Sequence, residues 1–134
     1  SYDDLAGKKT ATQAGSTGSA ILAQFAPKAI VQEFQTHQEA VDALRQGRVD
    51  AYVTDYTLLL NALSQGTGDT KLAGEPFGAK DPYGVGLPKG SDGVAFVNAF
   101  LKKVEADGTW AKLWTISIGE RTGSKDVPTP PALP

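Results

Sequence analysis

The sequence predicts an α/β fold with a mostly parallel open sheet flanked by helices. Three observations carry this. Short runs rich in β-branched and aromatic residues alternate with helical patterns from Lys8 to Leu63. Helix start and stop signals separate them. The connections are short enough that successive strands run parallel.

Asp3-Asp4-Leu5-Ala6-Gly7 reads as a turn closed by Gly7. Lys8 to Gln13 is a short strand leading into a Gly15 turn. A helix follows from Ala20, with Ala20, Ile21, Ala23, Gln24 and Phe25 on its apolar face, and Pro27 stops it. Ala29 to Phe34 is a strand. Thr36-His37-Gln38-Glu39 has capping-box spacing, and Ala40, Val41 and Leu44 share the inward face of the helix it opens. Gly47 suits the position just past the end of that helix. Val49 to Thr54 is a strand, Asp55 ends it, and Tyr56 to Leu63 is helical. Thr70 to Ala73 reads as one more short strand.

After Gly74 the pattern changes. Pro76 and Asp81-Pro82 punctuate the chain, and Tyr83-Gly84-Val85-Gly86-Leu87-Pro88 is extended. Its two glycines predict close backbone approach or bending. An amphipathic helix then turns Val94, Phe96, Val97, Phe100, Leu101 and Val104 inward. Asp107-Gly108-Thr109 breaks it, and Trp110, Leu113 and Trp114 anchor a short last helix. From Glu120 the chain is polar and then Pro-rich.

Composition narrows the chemistry. The net charge is −2 with no basic stripe, which argues against nucleic acid as a partner. Cysteine is absent, which excludes disulfides and thiolate metal sites. The one histidine, His37, removes most His-based triads and multi-His metal sites, and reads as a solvated surface residue. No cofactor motif is present. The Gly/Ser/Thr turn has neither Walker spacing nor a dinucleotide fingerprint.

Two strand ends carry candidate binding groups. At Gln13-Ala14-Gly15-Ser16-Thr17 a strand feeds a helix start, where free N–H groups, hydroxyls and the helix dipole favour an anion. Plain N-capping by Ser or Thr is the competing reading. At Thr54-Asp55 a carboxylate ends the third strand, and N-capping of the next helix competes there too. In open α/β sheets ligands sit at the carboxyl ends of strands. The two tips together suit a zwitterion, with a carboxylate at Ser16 and Thr17 and an ammonium at Asp55.

These stretches, with Asp4-Leu5-Ala6-Gly7-Lys8-Lys9, Ala40-Val41-Asp42-Ala43-Leu44, Gly47 to Asp55, Asp81 to Gly90 and Ala106-Asp107-Gly108-Thr109-Trp110, carry a resemblance. In this order they cover Asp4 to Gly119. The chain resembles the polar amino-acid-binding proteins of ABC importers, the family 3 solute-binding proteins of type 2 periplasmic-binding-protein fold. The resemblance implies that residues 1–80 are most of lobe 2 and that 81–88 are the crossover hinge strand. It implies that 89–119 are the C-terminal part of lobe 1, with 120–134 a polar, Pro-rich tail. It implies a ligand site at Gln13, Gly15, Ser16, Thr17, Thr54 and Asp55, no catalytic residue, and no metal or cofactor. The implied partners are a glutamate-, glutamine- or aspartate-like amino acid and an ABC permease.

The N-terminal part of lobe 1, with its ligand-binding Arg and aromatics, has no counterpart here. The chain is therefore expected to be a fragment whose fold is completed by that missing part or by a second chain. Weak or undetectable ligand binding alone is expected, with an exposed apolar patch that favours oligomerisation or strand exchange. The full-length protein is expected to be exported, with a signal peptide, as a periplasmic protein or cell-surface lipoprotein. Two alternatives share the fold. One is a cyclohexadienyl-dehydratase-like enzyme using Asp55 and Glu75, and the other is the ligand-sensing domain of a receptor.

Overall fold

The computed structural model describes residues 1–66, 70–78 and 83–130. The chain forms two compact units, Ser1–Gly78 and Ala79–Pro134.

The first unit is built on three parallel strands, β1 (Lys9–Gln13), β2 (Ile30–Phe34) and β3 (Ala51–Tyr52), in the order β2-β1-β3. The central strand pairs Lys9 with Ile30 through Gln13 with Phe34 on one side. On the other it pairs Thr10 with Ala51 and Ala11 with Tyr52. The predicted parallel sheet is thus present, but β3 is shorter than its sequence run. The Asp50 carboxylate accepts from Lys9 N at 2.8 Å, and Asp50 N donates to Lys9 O. Asp50 therefore fastens the start of β3 to β1 and lies at the edge away from the strand tips. Residues 70–73 form no strand. Leu72 is exposed there, so nothing rewards pairing.

Alternation along β1 sends Ala11 to one face and Thr10 and Thr12 to the other. On the Ala11 face lie α2 (His37–Arg45) and α3 (Tyr56–Ser64), and Ala11, Ala40, Val41, Ala43, Val49, Tyr52 and Ala62 make the core. Phe34, Leu44 and Leu59 pack against it. α1 (Gly18–Phe25) packs on β1 and β2. Its buried face is Gly18 and Leu22, with Ala26 just past its end. The expected face differs: Ala20, Ala23 and Gln24 are exposed, because Leu22 takes the inward position.

α2 begins as its capping box predicts. Thr36 Oγ1 accepts from Glu39 N at 3.2 Å, and Glu39 Oε2 accepts from Thr36 N at 3.0 Å. Gly47, at φ +66°, follows its end. Thr36→Ala should destabilise this unit by about 1 kcal/mol, read as a lowered urea midpoint with unchanged slope.

In the second unit, residues 83–88 belong to no strand, and Tyr83 is 87% exposed. The expected crossover strand has no ladder here, and Asp81-Pro82 lie outside the described residues. Side chains at Gly84 or Gly86 would meet open space, so neither marks a close approach. α4 (Gly93–Ala106) buries Val104 and half-buries Val97 and Leu101. Val94, Phe96 and Phe100 are exposed, against the expected inward face. Phe96 and Phe100 are four residues apart and share a side that this unit leaves uncovered.

Gly108, at φ +80°, separates α4 from α5 (Thr109–Trp114). Helix then continues past the expected end, as a π-turn over Thr115–Gly119 and α6 (Glu120–Thr122). Trp114 is buried, and Trp110 Nε1 donates to Pro128 O at 3.0 Å, tying the Pro-rich segment back to the helix. Leu113 and Ile116 are exposed, so Leu113 is no anchor. The seams of this unit are satisfied by serine and threonine hydroxyls returning to carbonyls one turn back, as at Thr115, Ser117 and Thr122. Such back-bonding loosens the α-pattern and accompanies the π-turn.

Candidate functional site

β1 and β3 are adjacent and parallel, so their carboxyl ends leave the sheet at one edge. Val53 N donates to Ala11 O at 3.0 Å, continuing the ladder to the brink of that edge. The Gln13 and Thr54 tips therefore emerge side by side, separated by about the 4.8 Å spacing of paired strands. Ala14 N donates to Phe34 O at 2.8 Å, so the end of β2 is tied to the same edge.

At the first tip, Gly15 holds φ +72° with open space around it, so the glycine serves the turn. Ser16 closes the turn: its hydroxyl donates to Gln13 O at 2.7 Å and accepts from Gly18 N at 3.2 Å. Ser16 N also donates to Gln13 O. The Ser16 proton is thus spent within the loop. Thr17 is exposed, and its side chain makes no capping bond. Gln13 is half-buried at the end of β1.

At the second tip, Asp55 is exposed and makes no side-chain cap to α3, although its carbonyl accepts from Leu58 N and Leu59 N. The capping role that competed for this carboxylate is not the one it plays. Thr54 is half-buried.

The sequence reading missed the support beneath this tip. His37 is half-buried and partnered rather than fully solvated: Nδ1 lies 3.0 Å from Tyr52 Oη, and the rings are 5.6 Å apart. Burial lowers the His37 pKa from its ordinary 6.5. Burial raises that of Tyr52, and the Asp55 charge adds to the rise. The signal was present in two places. The Thr36 cap puts His37 in the first turn of α2, and Tyr52 is the one aromatic of β3. A folded state that resists protonating His37 loses stability as pH falls from just above the ordinary imidazole value through the lowered one. Urea midpoints of the native chain should drop across that window, and those of His37→Gln should stay flat there.

Gly18 and Thr12 were also missed. A Cβ at Gly18 would lie 1.9 Å from Thr12 Oγ1, so the first turn of α1 sits directly on the central strand. Among the described residues, no group of three His, Asp or Glu side chains is arranged to hold a metal ion.

No protein-family model matches the chain. It is 38% identical over 112 residues to the glutamate-binding protein GluB of Corynebacterium glutamicum, an alignment covering 79% of this chain and 38% of that protein. It is 36% identical over 115 residues to the ABC transporter glutamine-binding protein GlnH of Bacillus subtilis, covering 85% of this chain and 41% of that one. An ancestral arginine-binding protein solved with glutamine superposes with a TM-score of 0.73 at 34% identity, over 89% of this chain and 53% of that one. The chain belongs to the amino-acid-binding proteins of ABC importers. It spans about two fifths of the length of these curated relatives. A further neighbour in this solute-binding family, at TM-score 0.67 and 30% identity, is the ancestral amino-acid-binding protein AncCDT-1, described as a precursor of cyclohexadienyl dehydratase. It covers 88% of this chain and 50% of its own. The curated relatives are named as binding proteins and not as enzymes. The parallel sheet flanked by helices is the family's fold.

Proposed function

We propose that this chain forms one jaw of a non-catalytic amino-acid receptor serving an ABC importer. The ligand carboxylate meets the Gly15-Ser16-Thr17 tip and the start of α1, and its ammonium meets Asp55, with Gln13 and Thr54 lining the space between. The observation that carries this reading is the adjacency of β1 and β3, which puts a donor-rich helix start and an uncapped carboxylate on one sheet edge. A charge-assisted contact at each end is worth roughly 1.5–3 kcal/mol.

Residues 1–80 correspond in this reading to lobe 2, 81–88 to the hinge strand, 89–119 to part of lobe 1 and 120–134 to the tail. The chain acts as a fragment, and the N-terminal part of lobe 1, or a second chain, completes the site. The exposed Phe96 and Phe100 favour that docking, with oligomerisation or strand exchange as its substitute. The full-length protein is exported by a signal peptide, and lipoprotein anchoring holds it near the permease.

The test is an amide NMR titration of the chain with L-glutamine and L-glutamate. Shifts confined to residues 13–18 and 54–55 are expected, with weak affinity because half of the site is contributed from elsewhere. Shifts that avoid both tips would overturn the reading.

A further inference from the structure

We infer that Glu33 sets the charge preference of the ligand rim, and that the guest this jaw selects is an amino acid with a cationic side chain rather than an acidic one. The inference deepens the proposed function and rests on it for the place of the ligand. The charge distribution itself rests on topology and on one hydrogen bond.

The three strands are parallel, so their carboxyl ends and the helix starts that follow share one edge. Residues 13–20, 33–40 and 52–59 make up that edge. They contain Glu33, Glu39 and Asp55 and no lysine or arginine. His37 adds no charge near pH 7, because burial lowers its pKa. Lys8, Lys9, Lys28, Arg45 and Arg48 stand at strand starts or at the end of α2, toward the opposite edge. Lys71 lies on the 70–78 segment, outside the strand–helix repeats. Helix dipoles work against the three carboxylates, but each helix start brings only roughly half a positive charge. The rim therefore stays negative.

Glu33 is the carboxylate that meets the start of α1. It pairs in register with Thr12, and its Oε1 accepts from the hydroxyl of Ser19 in the first turn of α1. An anion of the chain's own thus already occupies the helix start proposed to receive the ligand carboxylate. Glu39 is committed to the α2 cap. Glu33 Oε2 has no partner among the described residues and is left for a cation.

An independent observation marks the same helix start. Thr12 Oγ1 is fully buried, has no hydrogen-bond partner among the described residues, and lies against Gly18 at the start of α1. Buried polar groups are nearly always paired. An unpaired hydroxyl here marks a place that takes a polar guest rather than a finished helix cap. A guest with a second carboxylate adds repulsion from Glu33 and gains no cation in return. A guanidinium or ammonium side chain gains from the same charge.

The test is an amide NMR titration of the chain with L-arginine, L-glutamine and L-glutamate at low ionic strength. L-Arginine should bind about tenfold more tightly than L-glutamate, with L-glutamine between, and molar salt should close most of the gap. In Glu33→Gln, whose side-chain oxygen can still accept from Ser19, the ratio should fall to about threefold with melting unchanged. Glu33→Asp keeps the charge and should keep the preference. L-Glutamate bound as tightly as L-arginine, or a ratio indifferent to Glu33→Gln, would overturn the inference and leave the proposed function standing. If no amino acid perturbs either tip, the proposed function fails and takes the ligand class with it. Paired nitroxide probes then still decide the rim charge. A cationic probe should relax the amides of residues 13–19 more than an anionic one, and the difference should shrink in Glu33→Gln. Equal relaxation by both probes would overturn the negative rim.

Discussion

Replacing Gly18 by alanine should unfold the first unit or bring it to the edge of unfolding. The added Cβ would fall 1.9 Å from Thr12 Oγ1, 3.1 Å from Thr12 Cβ and 3.2 Å from Ser16 Oγ. None of these can yield easily. Thr12 is fully buried on the central strand, which is paired on both sides, and Ser16 is locked by two hydrogen bonds. Relief requires α1 to lift off the sheet, which uncovers Leu22. Overpacking of a rigid site costs about 3 kcal/mol, a large share of the stability of a small domain. Urea unfolding followed by far-UV circular dichroism should show a midpoint far below the native one. The double variant Thr12→Ala with Gly18→Ala removes the clashing oxygen and should recover most of the loss. A single variant as stable as the native chain would mean that α1 does not rest on Thr12.

Asp55→Asn should abolish amino-acid binding while leaving the fold intact. The carboxylate is exposed and makes no capping bond to α3, so the fold does not depend on it. Its proposed partner is the ligand ammonium. Replacing a charge-assisted bond by a neutral one removes about 1.5–3 kcal/mol, or roughly 10- to 150-fold in affinity. For the weak binding expected of the proposed single jaw, that loss puts binding beyond detection. The amides of residues 13–18 and 54–55 should stop responding to L-glutamine, and the melting curve should match the native one. Retained response at Asp55→Asn would assign the ammonium to another group. A lowered melting temperature would show that Asp55 supports α3 after all.

The exposed face of α4 has a plain cause. Helical spacing shows which residues are apolar and which of them share a side, but not what covers them. Val104 finds cover within its own unit, and Phe96 and Phe100 do not. The same reasoning explains Leu113. Thr70 to Ala73 failed as a strand for a related reason: β-propensity is a preference for a half-buried pleated surface, and Leu72 has none to lie on.

Local chemistry was decided by the sequence. The capping box of α2, the glycines past the ends of α2 and α4, and the strand–turn–helix at Gly15 depend on neighbours three to five residues away, so spacing suffices. Parallel pairing also followed, because a strand that returns through a helix has no other way to lie. Spacing left open that the Ser16 hydroxyl bonds within its own turn and that Asp55 leaves its cap unmade, and tertiary structure decided what lies beneath the second tip. It alone brought His37 against Tyr52. Those outcomes depend on which groups meet across the sheet edge, and a proton shared between side chains fifteen residues apart leaves no periodicity to read.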